Sequence, residues 1–415
     1  MKINVKILVA LLLLMLFPFL GLIYSFFCIK GNNKNTIIFF IISLFYGIFF
    51  IRIPPMYDLH IRYWEIVSNL NNSMVSIWEN NNDILLYITS NFILNIGLPF
   101  YFIPSLAIFL IVFLLLISYQ NIYSECVNKI IDSRKFIFYV LLFVMYINFL
   151  NYGMGIRFGL GVAFIVYALS LIIKNNFKRA LVILVLSVLM HFSMVIPAFA
   201  ILISFFLKIN KKISIILSVV ALSVSELIIK KMVGNVDYFG LAEHATHYID
   251  GQWSQAANNL NSRIIAYSSR IIFIIFIIFY FFSKTEINKM DNFINIMLII
   301  SSLFFFSFTM HGRYLSIISI ILLIRGINSL IIIGFDTCLY KKLFRLFLIV
   351  IVSYNFLIAG IYANRRVIIL GEMWKTLYTP PMFIIYNHGQ KEFESYFMSI
   401  DENGYWKDSD QRQTD

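Results

Sequence analysis

Residues 5–27 read VKILVALLLLMLFPFLGLIYSFF and include one charged side chain, that of Lys6. Further apolar runs follow at residues 36–50 and 263–282. Each run approaches the roughly 20 residues that a helix needs to cross a bilayer. The runs must be helical, because the hydrocarbon core offers no partner for unpaired backbone groups. The pattern predicts an all-α, polytopic integral membrane protein that cannot fold as a soluble domain.

The composition of the whole chain agrees with this class. The 415 residues are 60% hydrophobic and 13% charged, with a mean hydropathy of +0.84, whereas a soluble domain carries about 25% charged residues. The net charge of +12 comes from Lys and Arg scattered through short loops, which favours membrane topology over a nucleic-acid partner. The three cysteines form no CxxC pair and no zinc spacing. We therefore predict no metal and no cofactor.

Hydropathy along the chain predicts about 11 to 12 transmembrane helices. The predicted spans lie near residues 5–27, 36–53, 99–119, 136–152, 156–173, 180–196, 197–207, 213–230, 263–282, 291–309, 313–333 and 343–362. They would form a single polytopic domain over residues 1–362, with external loops near 54–98 and 232–262. We interpret residues 363–415 as a polar C-terminal tail on the external side.

Which loops face the cytoplasm depends on residues 180–207. This stretch is too long for one ordinary crossing and too short for two full ones. If Pro197 breaks this stretch into two crossings or a re-entrant hairpin, the basic loops all fall on one side. Those loops contain Lys30, Lys34, Lys129, Arg134, Lys135, Lys174, Lys178, Arg179, Lys208, Lys211, Lys212, Lys284, Lys289, Lys341, Lys342 and Arg345. By the positive-inside rule that side is the cytoplasm. We therefore favour twelve spans with both termini outside.

Ionisable groups in a span or at its mouth are costly and are functional candidates. Arg157 opens a predicted span within the run NYGMGIRFGLG, where glycines permit close approach by a backbone or a ligand. Its planar guanidinium could hold a diphosphate through paired hydrogen bonds. An interfacial arginine that reaches the lipid headgroups would explain the position almost as well.

His191 lies near the external end of its span, six residues before Pro197. A neutral imidazole there could accept a proton from a sugar hydroxyl, because its pKa lies near the working pH. A buried histidine that is merely hydrogen-bonded to a neighbouring helix is an equally weighted alternative.

Two further motifs lie on the predicted external side. In MHGRYLS, a tight turn would bring His311 and Arg313 to the mouth of a cavity, although a basic turn among headgroups fits the spacing equally well. In PPMYDLHIRYWE, the charged residues Asp58, Arg62 and Glu65 stand among aromatic residues. Carboxylates beside aromatic rings suit a sugar site, whereas an interfacial aromatic belt would explain the rings alone.

Metal binding receives little support from the remaining motifs. His244 and His247 lie near Glu243, but no third ligand follows at a diagnostic spacing. The chain has no P-loop and no GxSxG motif. These motifs therefore add no further catalytic candidate.

The order of these motifs along the chain, and the side of the membrane predicted for each, resemble those of the O-antigen and exopolysaccharide repeat-unit polymerases of the Wzy and EpsG type. Members typically carry an acidic, Tyr-containing motif outside the second span, an Arg that opens a Gly/Ala-rich span, a basic cytoplasmic turn, a span ending in His-x-Ser and a late external Arg-Tyr. The matching stretches are residues 56–65, 157–163, 174–179, 191–193 and 313–314. The chain departs from the pattern at Met56, Leu59 and Phe158, where the family often has Gly, Tyr and Gln.

The resemblance implies a glycosyltransferase of lipopolysaccharide biosynthesis at the periplasmic face of the bacterial inner membrane. It would move a growing glycan from undecaprenyl diphosphate onto the next lipid-linked repeat unit. Because the donor carries its own activating diphosphate, no nucleotide site is required. The implied partners are undecaprenyl-diphosphate-linked oligosaccharides, membrane lipids and a membrane protein that regulates chain length.

Such a reaction needs cations for the leaving diphosphate and a base for the acceptor hydroxyl. We assign the base, or the positioning of the acceptor, to His191, with Asp58 as the alternative. Binding of the diphosphate and the glycan is assigned to Arg157, Arg313, His311, Arg62 and Glu65.

Three rival functions share parts of this pattern. An O-antigen ligase, or another polyprenyl-linked glycosyltransferase, would use the same donor, but the loop at 232–262 is acidic and free of Lys and Arg, unlike the basic loop usual in ligases. A repeat-unit flippase would need charges deep in several spans rather than at one face. A membrane acyltransferase would give His191 an acidic partner, and its own span contains none.

Overall fold

The computed structural model describes residues 5–31, 35–68, 83–126, 132–235, 260–282, 288–305, 307–332 and 339–407. Within these ranges the regular structure is helical, and no β-strand occurs. The predicted all-α fold class is therefore confirmed.

The helices of the first half of the chain come in quick succession. They are α1 (Val5–Leu16), α2 (Pro18–Phe27), α3 (Thr36–Phe49), α4 (Asp58–Ser68), α5 (Ile84–Asn95), α6 (Phe102–Cys126), α7 (Ser133–Tyr146), α8 (Phe149–Met154), α9 (Ile156–Ile173) and α10 (Phe177–Met190). Short 3-10 turns follow α3 at Phe50–Arg52 and α10 at Phe192–Met194.

The second half begins with longer helices and ends with short ones. They are α11 (Val195–Phe206), α12 (Lys211–Asn235), α13 (Leu260–Phe282), α14 (Asn288–Leu303), α15 (Phe308–Ile332), α16 (Leu339–Tyr354), α17 (Arg365–Leu370), α18 (Pro381–Asn387) and α19 (Gln390–Ser395). A π-helical stretch, Asn355–Tyr362, extends α16, and 3-10 turns occupy Met373–Leu377 and Tyr396–Ser399.

Several of the described helices can cross a bilayer. Four are long and apolar enough: Phe102–Cys126, Ile156–Ile173, Phe308–Ile331 and Lys342–Tyr362. Shorter apolar helices accompany them at Val5–Leu16, Pro18–Phe27, Thr36–Arg52, Ile84–Asn95, Phe192–Phe206 and Arg270–Phe282. The chain is thus a multi-pass membrane protein, and the count of 11 to 12 spans stays a prediction.

The first apolar run does not form one continuous helix. It breaks at Phe17, whose backbone leaves the helical region, and Pro18 then begins α2. Gly21 packs against α1 so closely that a Cβ there would lie 2.4 Å from Leu14 Cα. Proline lacks the amide hydrogen that would continue a helix. The prediction of a single span over residues 5–27 is wrong for this reason.

Residues 177–206 form a helical hairpin. α10 ends at Met190, and α11 begins at Val195. The rings of Phe177 and Phe205, one from each far end, lie 5.4 Å apart, so α10 and α11 run antiparallel. The break falls at His191, whose backbone is extended, and not at Pro197 as predicted. Pro197 instead lies in the first turn of α11, where proline is tolerated.

The glycines of α9 let this helix pack in the centre of the molecule. A Cβ on Gly159 would lie 2.8 Å from the Tyr152 carbonyl oxygen and from Ile111 of α6. Ser187 of α10 donates a hydrogen bond of 2.9 Å to the carbonyl of Gly161. Close backbone approach of this kind is how helices associate in membranes. It fixes the start of α9, which carries Arg157, between α6 and α10.

Loops predicted on the cytoplasmic side lie together at one end of the bundle. Lys289 donates to Asn175 Oδ1 at 2.5 Å and to the Ile172 carbonyl at 3.2 Å. Asn292 donates to the carbonyls of Ser204 and Leu207 at 2.5 Å each. The loops around residues 174, 208 and 289 therefore share one end. This grouping agrees with the predicted pattern of basic loops.

A buried ion pair also joins α14 and α15. Arg325 Nε lies 2.7 Å from Asp291 Oδ1 and Nη2 lies 3.2 Å from Oδ2. Arg325 also contacts Ser329 Oγ. The two charges neutralise each other through a bidentate contact, which suits a pair buried among helices. The hydropathy of residues 313–333 did not predict it.

Residues 363–407, here called the C-terminal segment, are folded against the helices. Arg52 donates through Nε to the Gly371 carbonyl at 3.0 Å and through Nη2 to Glu372 and Glu392 at 3.1 Å each. Gly371 packs so tightly that a Cβ there would lie 2.1 Å from the Arg52 carbonyl oxygen. The prediction of a polar tail missed this docking.

Candidate active site

Carboxylates and arginines alternate, and end at a histidine, where α4, α5, α9 and α10 meet. The series, here called the charge chain, runs Glu65, Arg62, Asp58, Arg157, Asp83 and His191. Its members come from four stretches that are far apart in sequence. Five of the six were predicted site residues, and the structure brings those five together.

Arg157 is the centre of the charge chain. Its Nη1 lies 2.5 Å from Asp83 Oδ2 and its Nη2 lies 3.2 Å from Asp58 Oδ1. Arg157 occupies the first turn of α9, where the helix dipole disfavours a positive charge. The two carboxylates supply the compensation that this position needs. Arg157 was predicted to bind a diphosphate, but its guanidinium already contacts two protein carboxylates.

Asp83 is the residue that links Arg157 to His191. It is 5% exposed and precedes α5, but its carboxylate does not cap that helix. Instead it accepts hydrogen bonds from Arg157 and from the Phe192 amide at 3.0 Å. Burial alone would raise the pKa of Asp83, but the hydrogen bond with His191 and the charge of Arg157 hold this pKa well below its usual range. Asp83 is ionised, and so it is a poor proton acceptor.

His191 lies in the break between α10 and α11. The two nitrogens of its ring have different surroundings. Its Nδ1 lies 3.3 Å from Asp83 Oδ1 and 3.4 Å from Oδ2. Because Asp83 is an ionised acceptor, Nδ1 must carry the proton, and Nε2 then presents a lone pair. Nε2 is buried and has no hydrogen-bond partner within the described ranges. An oriented imidazole with one open nitrogen is the arrangement of a general base.

Arg62 and Glu65 form the outer end of the charge chain. Arg62 contacts Glu65 directly, and its Nε lies 3.4 Å from Asp58 Oδ1. Tyr87 of α5 donates to Glu65 Oε2 at 2.5 Å and accepts from Arg62 at 3.2 Å. These contacts fasten α4 to α5. Asp58 is thereby shared between two guanidinium groups, which makes it less available as a base than His191.

Arg313 lies beside the charge chain rather than within it. Its guanidinium carbon lies 5.9 Å from the centre of the Phe158 ring. That ring stands edge-on to His191, with centroids 6.2 Å apart. Phe158 therefore packs against both the Arg313 guanidinium and the His191 ring. The predicted role of Arg313 in binding the diphosphate stays a prediction.

His311 is placed elsewhere. Its Nδ1 lies 2.9 Å from the Ser301 carbonyl oxygen, and its ring packs on Phe305 at 5.2 Å. These contacts fasten the end of α14 to the start of α15. None of the described contacts of His311 reaches the charge chain. The structure thus gives His311 a structural position, and its predicted part in substrate binding stays a prediction.

A cavity of about 430 Å³ adjoins the charge chain at Asp58. Its lining residues are Tyr57, Asp58, Asn151, Met154, Gly155, Ala363 and Asn364. Two of them belong to the C-terminal segment. The volume falls within the range of roughly 300–1,000 Å³ that is usual for small-molecule sites.

Sequence reasoning missed Asp83 and Tyr87. Asp83 directly precedes an apolar helix. Aspartate is common at this position as an N-cap, so its position gave no reason to expect another role. The available signal was an acidic residue beside an apolar helix too short to span, in the same external segment as Asp58. Tyr87 lies on that short helix, one turn further on.

The described residues contain no group of three or more His, Cys, Asp or Glu side chains that could hold a metal ion. The weak metal hypothesis for His244 and His247 lies outside the described residues. The carboxylates of the charge chain are already paired with arginines. The chemistry that these residues can provide is therefore proton transfer and charge stabilisation.

Together, the fold and the site define a multi-pass, α-helical membrane protein with an ionised polar site at one end of its helices. The family model of the EpsG family matches residues 56–368. This match covers most of the chain and the whole charge chain, and the protein therefore belongs to the EpsG family. Membership implies a glycosyltransferase-like polysaccharide polymerase. No curated protein and no solved structure matches the chain.

Proposed function

We propose that this protein polymerises O-antigen or a related surface polysaccharide by joining undecaprenyl-diphosphate-linked oligosaccharide repeat units. The single observation that carries the proposal is the Asp83–His191 pair, in which Nδ1 contacts the carboxylate and Nε2 has no hydrogen-bond partner within the described ranges. The reaction would take place at the periplasmic face of the inner membrane. The clustering of basic loops at the opposite end of the bundle supports this orientation.

The proposed chemical step uses His191 as the base. An acceptor hydroxyl gives its proton to Nε2, and its oxygen bonds to the anomeric carbon of the donor sugar. The bond between that carbon and the diphosphate oxygen breaks, and undecaprenyl diphosphate leaves. Asp83 stabilises the imidazolium that forms, because its carboxylate remains ionised next to Nδ1.

The leaving diphosphate needs a cation to stabilise its charge. Both terminal nitrogens of Arg157 contact carboxylates, and we infer that Arg157 mainly holds Asp58 and Asp83 in position. Arg313 lies across Phe158 from His191 and is suitably placed to stabilise the diphosphate charge. The activated donor supplies the driving force, and so no nucleotide is consumed.

The contact with Asp83 gives His191 the acidic partner that a membrane acyltransferase would need, so the structure weighs against a flippase more than against the other rival functions. A repeat-unit flippase would need ionised groups along a path through the bilayer, whereas the pair Asp291–Arg325 is closed by its own bidentate contact. An O-antigen ligase could use an Asp–His pair, but it would transfer the finished glycan rather than extend it. The chain-length distribution of the glycan therefore separates these rivals from the polymerase.

The first test is deletion of the gene and complementation with wild type, Arg157→Ala or His191→Ala, with the surface polysaccharide separated on a gel. We expect the variants to collapse the ladder to core plus one repeat unit. Asp132→Asn, an exposed acidic residue at the start of α7, is the matched control and should restore the ladder. Immunoblots of membrane fractions would show equal amounts of each variant.

Other outcomes of the deletion would change the conclusion. Complete loss of repeat units from the surface would point to flipping or ligation. A ladder that is unchanged by the deletion itself would contradict a role in polysaccharide synthesis.

A further inference from the structure

We propose that the cavity next to Asp58 binds uncharged sugar rings of the lipid-linked repeat unit, and that the C-terminal segment supplies one wall of this glycan subsite. The inference rests on the proposed function, because it concerns the substrate of the same site. It goes beyond that function in assigning specificity to residues outside the charge chain.

The lining of the cavity suits hydroxyl groups rather than phosphate. It offers one carboxylate, that of Asp58, two side-chain amides and the Tyr57 ring, and none of its seven lining residues is a lysine or an arginine. Carboxylates accept hydrogen bonds from sugar hydroxyls, and amides both donate and accept them. Asp58 is the one charged residue of the lining and is already contacted by Arg62 and Arg157, so the lining itself offers no cation to a phosphate or an acidic sugar. The ligand class is therefore a neutral sugar.

The two amides leave groups open for a ligand. Asn364 uses both hydrogens of Nδ2, donating to the Gly360 carbonyl at 2.8 Å and to Asn151 Oδ1 at 3.0 Å. Within the described ranges, Asn364 Oδ1 and Asn151 Nδ2 then have no hydrogen-bond partner. One acceptor and one donor thus remain beside Asp58, held in place by their mutual contact. This pairing fixes the orientation of each amide.

The C-terminal segment also holds Tyr57 in an uncommon backbone conformation. Tyr57 has a φ of 55°, which is in the left-handed region that a non-glycine residue rarely adopts. Its amide donates to the Gly404 carbonyl at 2.9 Å, and its ring packs on Tyr405 at 5.4 Å. A Cβ on Gly404 would lie 2.9 Å from the Tyr57 nitrogen, so glycine is needed there. Strained backbone of this kind is characteristic of ligand sites.

The cavity and the charge chain share Asp58, so a glycan bound in the cavity would touch the charge chain at one end of the series of contacts that leads to His191. Arg157 joins Asp58 to Asp83, and Asp83 contacts His191. Sugars held by Asn151 and Asn364 would then determine which hydroxyl reaches His191. The C-terminal segment is therefore a specificity element of the polymerase.

The test measures binding of oligosaccharides, prepared by partial hydrolysis of the host's own surface polysaccharide, to the full-length protein in detergent. Saturation-transfer NMR would give the dissociation constant for wild type, Asn151→Ala and Asn387→Ala. Asn151 is exposed, so its replacement leaves the fold intact. We expect binding to weaken about three- to tenfold in Asn151→Ala, the effect of one lost hydrogen bond. Asn387→Ala changes an exposed amide of the C-terminal segment outside the cavity and should bind like wild type.

Two results would overturn the subsite. Either the wild type fails to bind the oligosaccharides, or Asn151→Ala binds as tightly as wild type while thermal unfolding shows that it is folded. Polymerisation by the same preparations keeps the two proposals apart. A wild type that polymerises while Asn151→Ala binds normally refutes the subsite alone, and a wild type that binds glycan without polymerising refutes the proposed function alone.

Discussion

Asp83 decides which nitrogen of His191 carries the proton. Its carboxylate lies within 3.4 Å of Nδ1 and is kept ionised by Arg157 and by the Phe192 amide. The lone pair of the imidazole is thereby directed to Nε2, away from the carboxylate. The catalytic behaviour of His191 should depend on this negative charge and not only on the presence of the ring.

Asp83→Asn should therefore abolish most of the activity while it preserves the shape of the site. The amide can donate a hydrogen bond to His191 and so stabilise the wrong tautomer, and it removes one partner of Arg157. We expect the polymerisation rate to fall by about 10²- to 10⁴-fold. The measurement is the rate of chain elongation in membranes, with Asp132→Asn as the control. An Asp83→Asn protein of normal rate would remove Asp83 from the mechanism.

The sequence allowed several residues of the site to be predicted, but not the contacts between them. Arg157 and His191 were identifiable because ionisable groups at the ends of apolar runs are costly. Their common partner Asp83 is 74 and 108 residues away from them in the chain, and no local pattern can indicate such a contact. His311 shows the converse, since its spacing fits a cavity mouth while its ring contacts Ser301.

At the level of helices, hydropathy predicted some bounds and missed others. It located α9 at residues 156–173, the same bounds that the structure has. It could not locate the break at His191, because the backbone there is stabilised by Asp83, which precedes α5 and is distant in sequence. Pro197 was the stronger local signal, but proline is tolerated in the first turn of α11.

Gly159→Ala should destabilise the protein. The added methyl group would lie 2.8 Å from the Tyr152 carbonyl oxygen, which is backbone and cannot move away. We expect a loss of about 1–3 kcal/mol, seen as a lower thermal unfolding temperature in detergent. Gly312→Ala is the matched control, because a Cβ on this helical glycine meets nothing within 4 Å. Equal unfolding temperatures for the two variants would contradict the packing described for α9.

At the level of the whole molecule, the C-terminal segment is part of the site. Arg52 holds this segment through one carbonyl and two carboxylates while it is itself buried. The composition of residues 363–415 is polar, which explains why they were predicted to be a tail. Their docking depends on contacts between residues more than 300 positions apart.

Arg52→Gln should release the C-terminal segment. The carboxylates of Glu372 and Glu392 would lose their common cation, and we expect limited proteolysis after residue 362 to become faster. Lys375→Gln is the control, since the pair of Lys375 with Glu372 is about 40% exposed and such pairs contribute little. Equal cleavage of both variants would show that Arg52 does not hold the segment.

The docking of the segment should weaken in acid because of His388. Burial lowers the pKa of His388, and the neighbouring Glu392 offsets this only in part, while Arg52 lowers it further. The histidine therefore binds protons more readily when the segment is undocked. Its contribution to stability is present above the ordinary pKa of about 6.5 and declines as the pH falls below it.

We expect limited proteolysis of the segment to accelerate as the pH falls through this region, measured with a protease of constant activity. His388→Gln should flatten the pH dependence, whatever its effect on the overall rate. A wild-type cleavage rate that does not change with pH would exclude His388 as the responsible group.

The most direct measurement is elongation by the purified protein in liposomes that contain lipid-linked repeat units from a deletion strain, without nucleotide. Wild type should produce a ladder of longer glycans and release undecaprenyl diphosphate, and Asp132→Asn should do the same. His191→Ala, folded and present in equal amount, should leave single repeat units. If the wild type left the repeat units unjoined, or if His191→Ala joined them at the wild-type rate, the assignment of a polymerase with His191 as its base would be contradicted.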